Sequence, residues 1–208
     1  MDIKGMDSYL DFWNLMTYDY AGSWSQTAGH QANLFPSRDT SPASEASADE
    51  AVQCYLRCGV PANKLVLGLP LYGRSFANTA GLGQPFSGTG EGGKEGGFWD
   101  VKTLPPPGAQ VVEDSKAGAS YSYDPAKKQL ISFDSVNVFD QKGAFIKKSG
   151  LLGAMYWELS GDCPAGSQVP SMVPRVAKNV SERAFPCICQ IAFILISSVT
   201  FCHPFHAC

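Results

Sequence analysis

The chain has 208 residues, 44% of them hydrophobic, with a formal net charge of -3. That length and apolar content allow one domain with a sizeable core. The acidic balance, with no basic run beyond the pairs Lys127–Lys128 and Lys147–Lys148, argues against a phosphate-tracking surface, so no nucleic-acid partner is expected.

Read in chain order, Met1-Asp2-Ile3-Lys4 leads into polar residues and not into the apolar core of a signal peptide. Residues 12–18 are apolar, short and bounded by polar residues, which predicts a buried parallel strand. The loop Ala21–Ser47 is rich in Ser, Ala, Gly and Pro. Ala48–Cys58 has helical spacing, with Ala51, Val52, Tyr55 and Leu56 on one side and Gly59 and Pro61 as stop signals. Cys54 and Cys58, four apart on that helix, read as small buried hydrophobes. Lys64–Tyr72 (KLVLGLPLY) is a second buried strand, and strand, helix, strand at this spacing argues for a parallel sheet.

Residues 75–133 break the rhythm, with a Gly-rich stretch (Gly81–Gly97) and a Pro run (Pro105–Pro107). Short β-like pieces follow at Ala119–Tyr123 and, after the turn signal Asp124–Pro125, at Gln129–Phe133. Together they predict an inserted α+β lobe. Asn137–Lys148 returns to helical spacing, Leu151–Trp157 is a third buried strand, and Ser167–Lys178 is a candidate final helix. The Cys-rich tail from Ala184 has an apolar core of about 15 residues. A spanning helix needs roughly 20. No membrane span is therefore expected, and the tail reads as out of keeping with the rest of the chain. Seven cysteines in all carry no zinc spacing, so no metal or cofactor is expected. Asn179-Val180-Ser181 fits a glycosylation acceptor, meaningful only in a secreted protein.

Side chains alternate along a strand. Asn14, Met16 and Tyr18 therefore share one face, as do Gly68, Pro70 and Tyr72 with Arg74 beyond them, and Gly153, Met155 and Trp157. Each strand thus ends on a large aromatic followed by a polar group: Asp19, Arg74 or Glu158. Any one of these aromatics could simply fill the core. Three at strand ends make a platform for a flat apolar surface, such as a sugar ring. Glu158 lies off parity and reads as a hydrogen-bonding residue outside the strand layer. Asp162 reads as a cap or turn residue, Asp134 as a turn residue, and His30, His203 and His206 have no partner spacing.

FWNLMTYDYAGSWS, KLVLGLPLYGRSF and GAMYWELSGD resemble strands six, seven and eight of family 18 glycoside hydrolases, the chitinase family, in the family's order. GGFWDVKTLP and YSYDPAKKQLISFD resemble the fungal-type version of that family's α+β insertion. The resemblance covers roughly residues 5–178. It implies an α/β fold, part of a (β/α)8 barrel, divided as 1–74 (strands six and seven), 75–134 (the lobe), 135–180 (the last helix pair and strand eight) and 181–208 (the tail).

The resemblance implies an endo-acting, retaining enzyme on β-1,4-linked N-acetylglucosamine, with chitin or its oligosaccharides as partner and an extracellular location. The substrate's own acetamido oxygen would be the nucleophile. Tyr18 would hold that acetamido group and Asp19 would contact the sugar beside it. Met16 would pack beneath the sugar and Trp157 would form the floor. Tyr72 and Arg74 would contact bound sugars, and Trp24 would stack on the leaving-group side. The family's general acid ends the motif D-x-x-D-x-D-x-E, which occurs nowhere in these 208 residues. The isolated chain is therefore expected to be inactive. Two alternatives stay open: a non-catalytic chitin-oligosaccharide-binding protein, and an incomplete gene product.

Overall fold

The computed structural model describes residues 2–37, 46–164, 166–167 and 170–177. The tail and the Asn179-Val180-Ser181 pattern lie outside them. A short helix α1 (Ile3–Asp7) precedes strand β1 (Trp13–Leu15). Helix α2 spans Ala48–Arg57, as its helical spacing of apolar residues predicts. Its N-terminus is capped by Ser47, whose hydroxyl accepts from the Glu50 amide at 3.3 Å and donates to the Glu50 carboxylate at 3.2 Å. Gly59 ends it at φ 91°, a conformation that glycine adopts without cost.

Strand β2 (Leu65–Pro70) lies parallel to β1 on one side and to β8 (Gly153–Trp157) on the other, with Leu15 opposite Leu67 and Pro70 opposite Trp157. One face of this sheet carries Trp13, Leu15, Leu65, Leu67 and Leu69, which pack with Val52, Phe139 and Ile146 of the helices into the main core. The other face carries Met16, Tyr18, Gly68, Met155 and Trp157.

The run KLVLGLPLY is not a single strand. It crosses at Leu71 from the parallel sheet into β3 (Tyr72–Phe76), which belongs to a second, antiparallel sheet. Leu71 anchors the crossing, since its amide donates to Trp157 O at 2.7 Å and its carbonyl accepts from Val101 N at 3.1 Å. The second sheet also contains β4 (Phe98–Asp100), β5 (Gln110–Asp114), β6 (Ala119–Asp124) and β7 (Gln129–Ser132), in the order β4-β3-β7-β6-β5. Helix α3 (Val136–Lys148) leads from it back to β8, capped by the Ser135 hydroxyl.

The final helix α4 is Val173–Ala177, inside the Ser167–Lys178 read from sequence. The segment before it is held as a turn by the Asp162 carboxylate, which accepts from Cys163 N, Met172 N and the Ser171 hydroxyl. Of the two cysteines read as small buried hydrophobes, Cys54 is half-buried, whereas Cys58 is disulfide-bonded, so its role is a covalent link and not mere packing. Among the described residues no helix is long and apolar enough to cross a membrane, and no group of three or more His, Cys, Asp or Glu could hold a metal.

Candidate functional site

The end of β1 is fixed by a buried hydrogen bond. Thr17 donates its hydroxyl to Gly68 O of β2 at 2.6 Å. The next residue, Tyr18, lays its ring over β2 and is only 8% exposed. Gly68 makes the space. A Cβ there would stand 2.3 Å from Leu15 O and 3.0 Å from the Tyr18 ring. Tyr18 meets Tyr72 edge-on, with ring centroids 6.0 Å apart. Burial, helped by the charge of Asp19, raises the Tyr18 phenol pKa, so it stays a neutral donor.

Asp19 has a positive φ of 61°. Left-handed backbone costs a non-glycine residue roughly 1–2 kcal/mol, and Asp and Asn tolerate it best. The conformation breaks strand alternation and aims the carboxylate at β3. Its Oδ1 accepts from the Tyr72 hydroxyl at 2.7 Å and from Arg74 Nε at 2.9 Å, while Oδ2 accepts from a terminal Arg74 nitrogen at 2.9 Å. This is the two-pronged pairing that a guanidinium offers a carboxylate. Burial works against the Arg74 charge, but the Asp19 carboxylate outweighs it and raises the guanidinium pKa. Burial raises the Tyr72 phenol, and the Asp19 charge raises it further.

Arg74 is enclosed by aromatic faces. Its guanidinium carbon lies 5.2 Å from the Trp24 ring centre, 5.3 Å from Tyr72 and 5.4 Å from Phe98. Tyr72 and Phe98 stack at 4.2 Å. Met155 of β8 packs against the same group of rings. Tyr18, Asp19, Trp24, Tyr72 and Arg74 are thus joined by direct contacts. They present phenol and guanidinium donors and a carboxylate acceptor beside the half-exposed face of Trp24.

Met16 stands 59% exposed just past β1, outside the buried clusters. Trp157 ends β8, 37% exposed, on the same strand face as Met155. Glu158 is exposed and accepts from the Ser160 hydroxyl at 2.5 Å. Asp134, read as a turn residue, is instead a buried ion-pair partner. Its carboxylate accepts from Lys142 Nζ at 2.5 Å, and the same ammonium donates to Ala32 O at 2.6 Å. Sequence reasoning missed Lys142, Phe98 and Gln31. Phe98 stood in a quoted motif, while Lys142 and Gln31 carried no local signal.

Residues 1–162 match the sequence pattern of glycosyl hydrolases family 18. The chain belongs to glycosyl hydrolases family 18. Within family 18 it is 51% identical over 151 residues to Chitinase 1 of Aphanocladium album, covering 73% of this chain and 36% of that relative. It therefore spans about a third of the length of that curated relative. Its fold superposes on YKL-39, solved in the presence of chitooligosaccharides, with a TM-score of 0.77 and 29% identity, covering 85% of this chain and 52% of that one. A class V chitinase of Nicotiana tobaccum, a mutant in complex with NAG4, gives a TM-score of 0.73 at 26% identity, covering 85% and 51%. The similarity to these two structures supports the α/β architecture that the motifs implied, and membership of family 18 supports the resemblance they carried.

Proposed function

We propose that this chain forms the sugar-positioning part of a chitin-hydrolysing site, with β1, β2 and β8 as strands six, seven and eight of a (β/α)8 barrel and the five-stranded sheet as its inserted lobe. The observation that carries the reading is the contact of Tyr18 and Asp19, just past β1, with Tyr72 and Arg74 of β3, just past the C-terminal end of β2, the side of parallel strands where barrels of this type place their chemistry. Tyr18, held neutral, donates to the substrate acetamido group and keeps its oxygen in line with the sugar carbon it attacks. Asp19 and Arg74 contact the sugar beside it. Met16 and Trp157 offer apolar surface beneath the ring, and Trp24 stacks on the leaving-group side. Such positioning lowers a barrier by fixing a near-attack geometry. The polymer implied is β-1,4-linked N-acetylglucosamine, met outside the cell.

The proton donor of that reaction is not among these 208 residues. General acids contribute about 10²–10⁴ in rate. The absent D-x-x-D-x-D-x-E favours, for the chain as it stands, sugar binding without turnover. Calorimetric titration of the 208-residue chain with tetra-N-acetylchitotetraose tests this. Binding is expected, and Trp157→Ala should weaken it about tenfold, a loss of about 1.4 kcal/mol. No heat of binding at millimolar sugar would refute the reading of the cluster. Release of shorter oligomers by the purified chain would refute the reading of the missing acid.

A further inference from the structure

Among the described residues, one fully buried side chain links the two segments that supply the carboxylate cluster. Gln31 is 0% exposed, in the loop between β1 and α2. Its Oε1 accepts from the backbone N–H of Asp19 at 3.2 Å, and its Nε2 donates to the backbone carbonyl of Tyr72 at 2.9 Å. The two contacts fix which end of the amide is which, because an N–H needs an acceptor and a carbonyl needs a donor. The backbone of Gln31 is itself held on two sides: its N–H donates to the Ser132 hydroxyl of β7 at 3.0 Å, and its carbonyl accepts from Tyr20 N at 2.9 Å. The neighbouring carbonyl, Ala32 O, accepts from Lys142.

We infer that Gln31 is a positioning residue for the sugar-contacting carboxylate and guanidinium. Its primary amide clamps the left-handed backbone of Asp19 at a fixed distance from the backbone of Tyr72, and so sets the register in which Asp19 meets Tyr72 and Arg74. Three features carry this. Asp19 holds a backbone conformation that L residues avoid, and the Gln31 oxygen accepts from the amide of that same residue. The other half of the amide reaches the first residue of β3, two positions before Arg74. Among the described residues, Gln31 is the one side chain that bonds the Asp19 amide and the Tyr72 carbonyl. A hydrocarbon side chain of the same length would fill the space and leave both backbone groups buried without these partners. Gln31 is fully buried and its side chain bonds only backbone groups, so it acts through Asp19 and Tyr72. Its consequence for sugar binding rests on the function proposed above, whereas its effect on the cluster does not.

Nuclear magnetic resonance of the isotope-labelled 208-residue chain separates the two. In the wild type the Arg74 Nε–H signal should be observable and protected from solvent exchange by its bond to Asp19, and the Asp19 amide proton should be protected as well. In Gln31→Met both should exchange at least tenfold faster, while the core amides of β2 keep their protection. Gln129→Met removes another buried glutamine amide, one that donates to Thr89 O and Glu91 O in the lobe, and should leave both signals unchanged. Affinity for tetra-N-acetylchitotetraose should fall about tenfold in Gln31→Met and stay within twofold in Gln129→Met. Unchanged Arg74 and Asp19 protection in Gln31→Met overturns the assignment. So does an Asp19 amide in the wild type that exchanges like an exposed one, a measurement that stands even where the variant does not fold. Lost protection together with no sugar binding by the wild type would uphold the clamp and reject the function it was proposed to serve.

Discussion

Replacing Asp19 with Asn isolates the charge at the centre of the site. Asn is the substitution of choice because, like Asp, it tolerates the left-handed backbone at φ 61°, so the change leaves conformation aside. Asp19 accepts three hydrogen bonds at 2.7–2.9 Å. An amide retains one acceptor oxygen and turns a donor toward the guanidinium. Unit charges about 4 Å apart at an effective dielectric near 20 attract by about 4 kcal/mol. The side chains are 30% and 15% exposed, so water screens part of this and the desolvation of Arg74 offsets more. A coupling of about 2 kcal/mol remains. The assay is a double-mutant cycle of Asp19→Asn, Arg74→Met and the pair, by urea unfolding of the full chain. A coupling below about 0.5 kcal/mol, the range of an exposed surface pair, would refute the reasoning that the cluster is a preformed, partly dehydrated unit.

Three further outcomes follow from buried groups. Burial pulls the His30 pKa down to about 4, against the pull of Asp114 and with a smaller push from Lys142. Between pH 6.5 and 4 the unfolded chain binds a proton that the folded chain refuses. Stability should therefore fall on acidification through that window by about 3 kcal/mol, and pH-dependent unfolding of His30→Gln should lose this slope. Lys142→Met leaves the Asp134 carboxylate buried without its cation and should cost about 3–5 kcal/mol in chemical denaturation, with much of the loss recovered when Asp134→Asn is added. Gly68→Ala places a methyl 2.3 Å from Leu15 O, so β1 and β2 must part, and thermal unfolding should register about 3 kcal/mol or more of lost stability.

The parallel strands and the helix between them were legible because each is signalled within its own residues. β2 is a continuous apolar run bounded by turn residues, and α2 shows helical spacing closed by Gly59 and Pro61. Trp157 at the end of β8 was legible for the same reason, whereas Tyr72 opens β3 in the second sheet. Gln31 was not legible. Its partners lie 12, 41 and 101 residues away, and a glutamine in a Ser- and Gly-rich loop looks solvated until the loop is packed. Lys142 sits on a helix with Lys147 and Lys148 and gives no local sign that its ammonium is buried. The strands β4 and β5 escaped notice because one is three residues long and the other, with Val111 and Val112 half exposed, buries too little to show alternation.

Alternation along a strand also explains where the reading of the site had to fail. On parity alone, Asp19 points away from Tyr18, and Tyr72 lies on the same strand as Gly68. Both inferences assume that backbone keeps its extended form to the last residue. At Asp19 the chain turns left-handed, and at Leu71 it leaves one sheet for another. These two departures bring the carboxylate of one segment onto the phenol and guanidinium of the other. Neither is held by the strand in which it occurs. The Asp19 amide is held by Gln31, and Leu71 is held by Trp157 O and Val101 N. The side chains that meet the sugar in the proposed function are therefore placed by backbone groups at the ends of regular structure, and those groups by partners distant in sequence. Substitutions at Gln31 or around Leu71 should act on the site as strongly as substitutions within it, whereas changes along the exposed edge of β5 should leave it intact.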